Sequence, residues 1–145
     1  MTPLFASWLT LIGLDAGRFH WSAVPAQLQW LGSGGILASM WIIARTFRAN
    51  PFLATVVKLQ TERGHSVVAS GPYGVVRHPL YAATLILFPS CALLLGSWAG
   101  FAAAGLLACP LIVRTALEDR ELHARLDGYA AYAKTVRYRL FPHIW

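Results

Sequence analysis

From Pro79 to Val113, 35 consecutive residues carry no Asp, Glu, Lys, Arg or His. A helix rises 1.5 Å per residue, so one straight helix of that length would reach roughly 50 Å. The hydrocarbon core of a bilayer is only about 30 Å thick. The run contains its own break at Leu95-Gly96-Ser97-Trp98. Divided there, it gives two stretches of about 17 residues, each rising roughly 25 Å, close to the minimum for a span.

A second charge-free segment runs from Trp21 to Ala44. Helical spans are therefore expected over roughly 27–46, 79–95 and 98–115. Lipid admits only helices or closed barrels, and the alternation is too weak for a barrel. The N-terminal MTPLFASWLTLIGLD lacks a basic leader, and its apolar run of about a dozen residues is short for a crossing. A partial or tilted helix is expected there. The expected fold class is all-α: a polytopic helical membrane protein with three to four transmembrane helices and a cytoplasmic C-terminal helical segment. Residues 1–145 are read as one domain.

The 145-residue chain is 57% hydrophobic and 12% charged, against the usual quarter or so charged. Its net charge of +6 raises nucleic acid as a partner. However, the cations are dispersed and no nucleic-acid module accompanies them, so no nucleic acid is expected. Arg45, Arg48, Lys58, Arg63 and Arg77 lie between the first and second long spans, and Arg114, Arg120, Arg125, Lys134, Arg137 and Arg139 follow the last. Only Arg18 falls on the other side. That asymmetry marks the cytoplasmic face. Trp8, Trp21 and Trp98 suit the membrane interface. Cys91 and Cys109 would differ in depth by roughly 10 Å across the Gly96-Ser97 turn, too far for a disulfide. Residues 55–70, TVVKLQTERGHSVVAS, read as a short hairpin or extended loop.

Polar chemistry concentrates at GPYGVVRHPLY, 71–81. Pro79 suits the first turn of a helix, where its missing N–H costs nothing, and it biases His78 away from helical geometry. Gly71-Pro72 and Gly74 supply the bends before it. Arg77, His78 and Tyr81 would then stand beside free N–H groups that can receive an anion or carboxylate. A basic anchor for lipid headgroups fits the same residues.

Past the last span, Arg114, Glu118, Glu121 and Arg125 share one helix face, so Arg114 can pair with Glu118 and Arg125 with Glu121. Gly128 is placed to cap or break that helix. Tyr129, Tyr132, Arg137, Tyr138 and Arg139 form a second basic-aromatic cluster, which ordinary interfacial anchoring also predicts. Gly32-Ser-Gly-Gly35 has no preceding strand and reads as a close helix contact, not a dinucleotide loop. No metal site is expected, because no Cys/His spacing matches one.

Three blocks in this order, GPYGVVRHPLY at 71–81, RTALEDREL at 114–122 and GYAAYAKTVRYRLFP at 128–142, resemble the isoprenylcysteine carboxyl methyltransferase family in its broad bacterial branch. NPF at 50–52 and LGSW at 95–98 also fit. The resemblance implies an integral membrane enzyme that uses S-adenosylmethionine without a Rossmann domain. It also implies a cytoplasmic cofactor site and a bacterial inner-membrane location. It assigns cofactor binding to Arg77, His78, Pro79, Tyr81, Glu118 and Asp119. The family usually carries two glutamates where this chain has Glu118-Asp119.

The residue chemistry matches that ligand. His78 and the helix start suit its carboxylate, Glu118 its ribose diol or ammonium, and Tyr81 and Tyr129 its adenine. Arg137, Arg139 and Glu118 are the candidate catalytic residues: the arginines to orient an acidic acceptor group, Glu118 or His78 to take a proton. The expected partners are a lipophilic substrate from the bilayer, such as a prenylcysteine-like carboxylate, together with membrane lipids and a second copy in a homodimer. Two alternatives stand beside this reading: an NADPH-dependent membrane lipid or sterol reductase, and a non-enzymatic membrane subunit.

Overall fold

The computed structural model describes residues 2–50 and 67–145. Among them every regular element is helical. α1 spans Thr2–Ile12 and leads into a wider π-helical stretch, Gly13–Phe19. α2 spans Ala26–Ala49, and a short 3-10 turn covers Gly71–Gly74. α3 (Pro79–Leu94), α4 (Trp98–Arg125) and α5 (Tyr129–Thr135) follow. α3 lies within its charge-free run, whereas α2 continues past Ala44 through Arg45 and Arg48, and α4 continues past Val113 through Arg114 to Arg125. Most of the segment expected as a hairpin, residues 55–66, lies outside the described residues, and 67–70 form no strand.

The break between α3 and α4 falls at the expected tetrad, and its hydrogen bonds show why. Gly96 takes a left-handed φ of 82°, open to glycine at little cost. The Gly96 N–H then donates to Leu93 O at 3.1 Å and the Ser97 N–H to Ala92 O at 3.0 Å, the paired closure of a Schellman motif. Ser97 at once caps the next helix, its Oγ accepting from the Gly100 N–H at 2.8 Å.

The chain divides into two compact units. The first comprises Met1–Met40 and Ala83–Val113. Trp8, Ile12, Ala92 and Leu107 form its core, with Phe88, Cys91 and Ala103 packed against them. Trp8 corrects the interfacial placement expected of it. It is 4% exposed, lies 5.4 Å from the Phe88 ring, and its indole N–H donates to Gly100 O at 2.8 Å. A tryptophan whose N–H is satisfied can be a core residue. Asp15 is fully buried and accepts from Ser22 Oγ at 2.6 Å, Ser97 Oγ at 2.5 Å and the Ala99 N–H at 3.2 Å. Gly32 and Gly35 of α2 lie against Ser90 of α3, where a Cβ at either position would collide. The small-residue reading of this segment is thereby given its contact. Both cysteines are free.

The second unit comprises Trp41–Ala82 and Arg114–Trp145. Its core centres on Tyr129, Tyr132 and Val136, packed with Val67, Leu122, Leu126 and Ala133. α4 ends at Arg125, and Gly128 at φ 82° immediately precedes α5. Among the described residues, one helix is long and apolar enough to cross a bilayer, Trp98–Arg125. Pro79–Leu94 is apolar but has 16 residues.

Candidate active site

Every residue of the candidate site belongs to the second unit. The approach to α3 is fastened by its main chain: the N–H groups of Arg77 and His78 donate to Tyr138 O and Arg139 O, each at 2.9 Å. The two N–H groups just ahead of α3 are therefore not available to an anion. Pro79 has none to offer, and the two before it are engaged by the C-terminal segment.

That fastening aims the Arg77 side chain at Asp119. Nε lies 2.8 Å from Oδ1 and Nη2 3.1 Å from Oδ2, a two-point clamp. Nη1 donates to Val136 O at 2.9 Å and Arg137 O at 2.8 Å. Asp119 collects three more partners: His78 Nε2 at 3.3 Å and the Tyr129 hydroxyl at 2.9 Å on Oδ1, and Arg139 Nε at 2.8 Å on Oδ2. His123, one turn along α4, reaches the Asp119 main-chain O through Nδ1 at 2.8 Å.

A carboxylate offers about four lone-pair sites, and here five contacts share them. Asp119 is 1% exposed and Arg77 7%, so neither charge is screened by water. Burial opposes the Asp119 charge. Hydrogen bonds from His78, Arg77, Arg139 and Tyr129 outweigh it and hold the carboxyl well below the usual carboxylate range. Burial likewise opposes the charge on Arg77, and Asp119 more than restores it. Tyr129 is pushed far up by burial and by the adjacent Asp119 anion, while burial pushes Tyr132 up to about 12. The Tyr132 hydroxyl donates to Tyr73 O at 2.7 Å.

Glu118, the preceding residue, has a different environment. It is half-buried, and its Oε2 accepts from the Tyr81 hydroxyl at 2.7 Å. The Tyr81 ring stacks on His78 at 6.0 Å and 16°. Arg114 does not pair with Glu118 as the i,i+4 spacing predicts. Its Nε donates to the Tyr81 oxygen at 2.8 Å, placing the phenol between the two charges. The second expected pair does form, Arg125 Nε to Glu121 Oε2 at 3.0 Å on the exposed face.

The structure therefore brings Arg77, His78, Tyr81, Glu118, Asp119, Tyr129 and Arg139 into one connected network. Pro79 is fully buried at the start of α3. The Arg137 side chain is exposed, and its contribution to the network is its carbonyl. Several participants were missed or given another partner by the sequence reading, Val136 among them through its carbonyl. His123 could have been found from its i,i+4 spacing to Asp119. Arg114 was noticed but given the wrong partner. Tyr73 serves through its carbonyl, which leaves no trace in residue type.

Among the described residues every regular element is helical, one helix is long and apolar enough to cross a bilayer, and the buried ionic centre lies on the C-terminal part of that helix. The phospholipid methyltransferase family model matches residues 28–125, more than half of the chain. The chain belongs to that family of membrane methyltransferases, which includes the isoprenylcysteine carboxyl methyltransferases. The matched segment contains the first two blocks quoted above and stops before α5. No curated protein matches the chain.

Proposed function

We propose that this protein transfers a methyl group from S-adenosylmethionine to a lipophilic acceptor at the membrane. The observation that carries the reading is the contrast between adjacent acids. Asp119 is saturated by protein donors. Glu118 is half-buried, and among the described residues only its Oε2 is engaged. An acceptor oxygen held in place with its partner atom unused suits a ribose diol or an ammonium, both of which present donors.

The other side chains fit the rest of the ligand. With His78 Nε2 on Asp119, Nδ1 is the ring nitrogen left for a carboxylate. The stacked His78 and Tyr81 rings offer an aromatic edge to adenine. Asp119 and Tyr129 position Arg77, His78 and Arg139 around them. When bound, S-adenosylmethionine supplies a sulfonium methyl group electrophilic enough for direct in-line transfer. The protein then contributes alignment and exclusion of water. Arg139, about one-third exposed, and the exposed Arg137 orient an anionic acceptor group, a prenylcysteine-like carboxylate or a phospholipid headgroup. A carboxylate acceptor needs no base; an amine or thiol gives its proton to Glu118.

In this reading three to four helices cross the bacterial inner membrane, the site faces the cytoplasm, and a homodimer is admitted. The test is calorimetric titration of the detergent-solubilised chain with S-adenosylhomocysteine, for wild type, H78A and E118A. Binding by wild type with loss in both folded variants supports the reading. Selective stabilisation by NADPH instead would identify a reductase.

A further inference from the structure

Arg114 has no role in the mechanism above, yet it touches Tyr81, whose hydroxyl holds Glu118. Its Nε lies 2.8 Å from the Tyr81 oxygen, and its guanidinium carbon lies 5.9 Å from the centre of the Tyr81 ring. The same oxygen lies 2.7 Å from Glu118 Oε2. Arginine can only donate, and a phenol has a single proton. The Tyr81 oxygen must therefore accept from Arg114, and its proton must go to Glu118. Both bonds then run in one direction, from cation through phenol to carboxylate, and each strengthens the other. The Tyr81 ring also lies nearly parallel to the His78 ring, 6.0 Å between centres.

We infer that Arg114 is a positioning residue that sets the Glu118 carboxylate through the Tyr81 hydroxyl, keeping Oε1 presented to a ligand group that carries only donors. The inference rests on the cofactor reading above and adds a residue and a direction to it. Without Arg114 the phenol is free to turn its proton away, and Glu118 loses its fixed orientation. Without the hydroxyl, Arg114 has no route to Glu118.

The experiment is titration of the solubilised full chain with S-adenosylhomocysteine, comparing wild type, R114M, Y81F, R114K and the combinations. R114M and Y81F are each expected to weaken binding about tenfold, the size of one buried hydrogen bond to a charged group. The R114M/Y81F double variant is expected to bind no more weakly than Y81F. R114K keeps a charged donor without the planar fork, so it should recover most of the R114M loss while Tyr81 is present, and change nothing in the Y81F background. Additive losses would overturn the inference, as would full affinity in R114M. Should R114M fail to fold, R114K decides: a loss of equal size with and without the Tyr81 hydroxyl overturns it, and a loss seen only with the hydroxyl supports it. Absence of binding by wild type would overturn the cofactor reading, and this inference with it.

Discussion

Arg77 meets Asp119 side-on, with Nε 2.8 Å from one carboxylate oxygen and Nη2 3.1 Å from the other, while both residues are almost wholly withdrawn from solvent. A buried pair of this kind is costly to break from one side, because the surviving charge loses its counter-ion. D119N keeps the shape and removes the charge that Arg77 and Arg139 share. It should destabilise the protein by about 3–5 kcal/mol, measured by thermal or denaturant unfolding in detergent.

The same carboxylate sets a pH dependence. Its folded-state pKa lies below the unfolded value of 3.8. The stability it contributes is therefore complete above about pH 5 and declines as pH falls below 4. The stability difference between wild type and D119N should shrink as the pH falls below 4. A difference that grew on acidification would contradict the assignment.

Y132F removes only the hydroxyl that donates to Tyr73 O at 2.7 Å. Because that carbonyl would be left buried without this donor, the variant should lose about 1–2 kcal/mol. The unfolding midpoint in detergent checks it.

Gly32 and Gly34 offer an internally controlled comparison. A Cβ on Gly32 would lie 2.7 Å from Ser90 O, a backbone atom that cannot swing aside, whereas a Cβ on Gly34 meets nothing within 4 Å. G32A should cost about 1–3 kcal/mol. G34A should be neutral or stabilise by up to about 1 kcal/mol, since alanine is the better helix former. Equal effects in the two variants would count against the α2–α3 contact.

The sequence made α2, α3 and α4 legible for one reason: absence of charge over tens of residues is a strong signal, and Gly96-Ser97 is a turn that can be read letter by letter. The polar blocks were legible as a set. Who bonds to whom was not. Helical spacing offered Glu118 to Arg114, but Tyr81, 33 residues earlier, arrives between them. Four consecutive residues, Val136 to Arg139, hold the Arg77-His78 turn through their carbonyls, and every residue type has a carbonyl. Trp8 misled because an indole serves an interface or a core equally well, and only its acceptor, Gly100 O, decides between them.

That carbonyl seat has an evolutionary consequence. A strand of chain that contributes to its neighbour through main-chain atoms can change its outward side chains without disturbing what it supports. Arg137, whose carbonyl is engaged while its side chain is exposed, is therefore a position that can vary and still leave the same Arg77 anchorage in place.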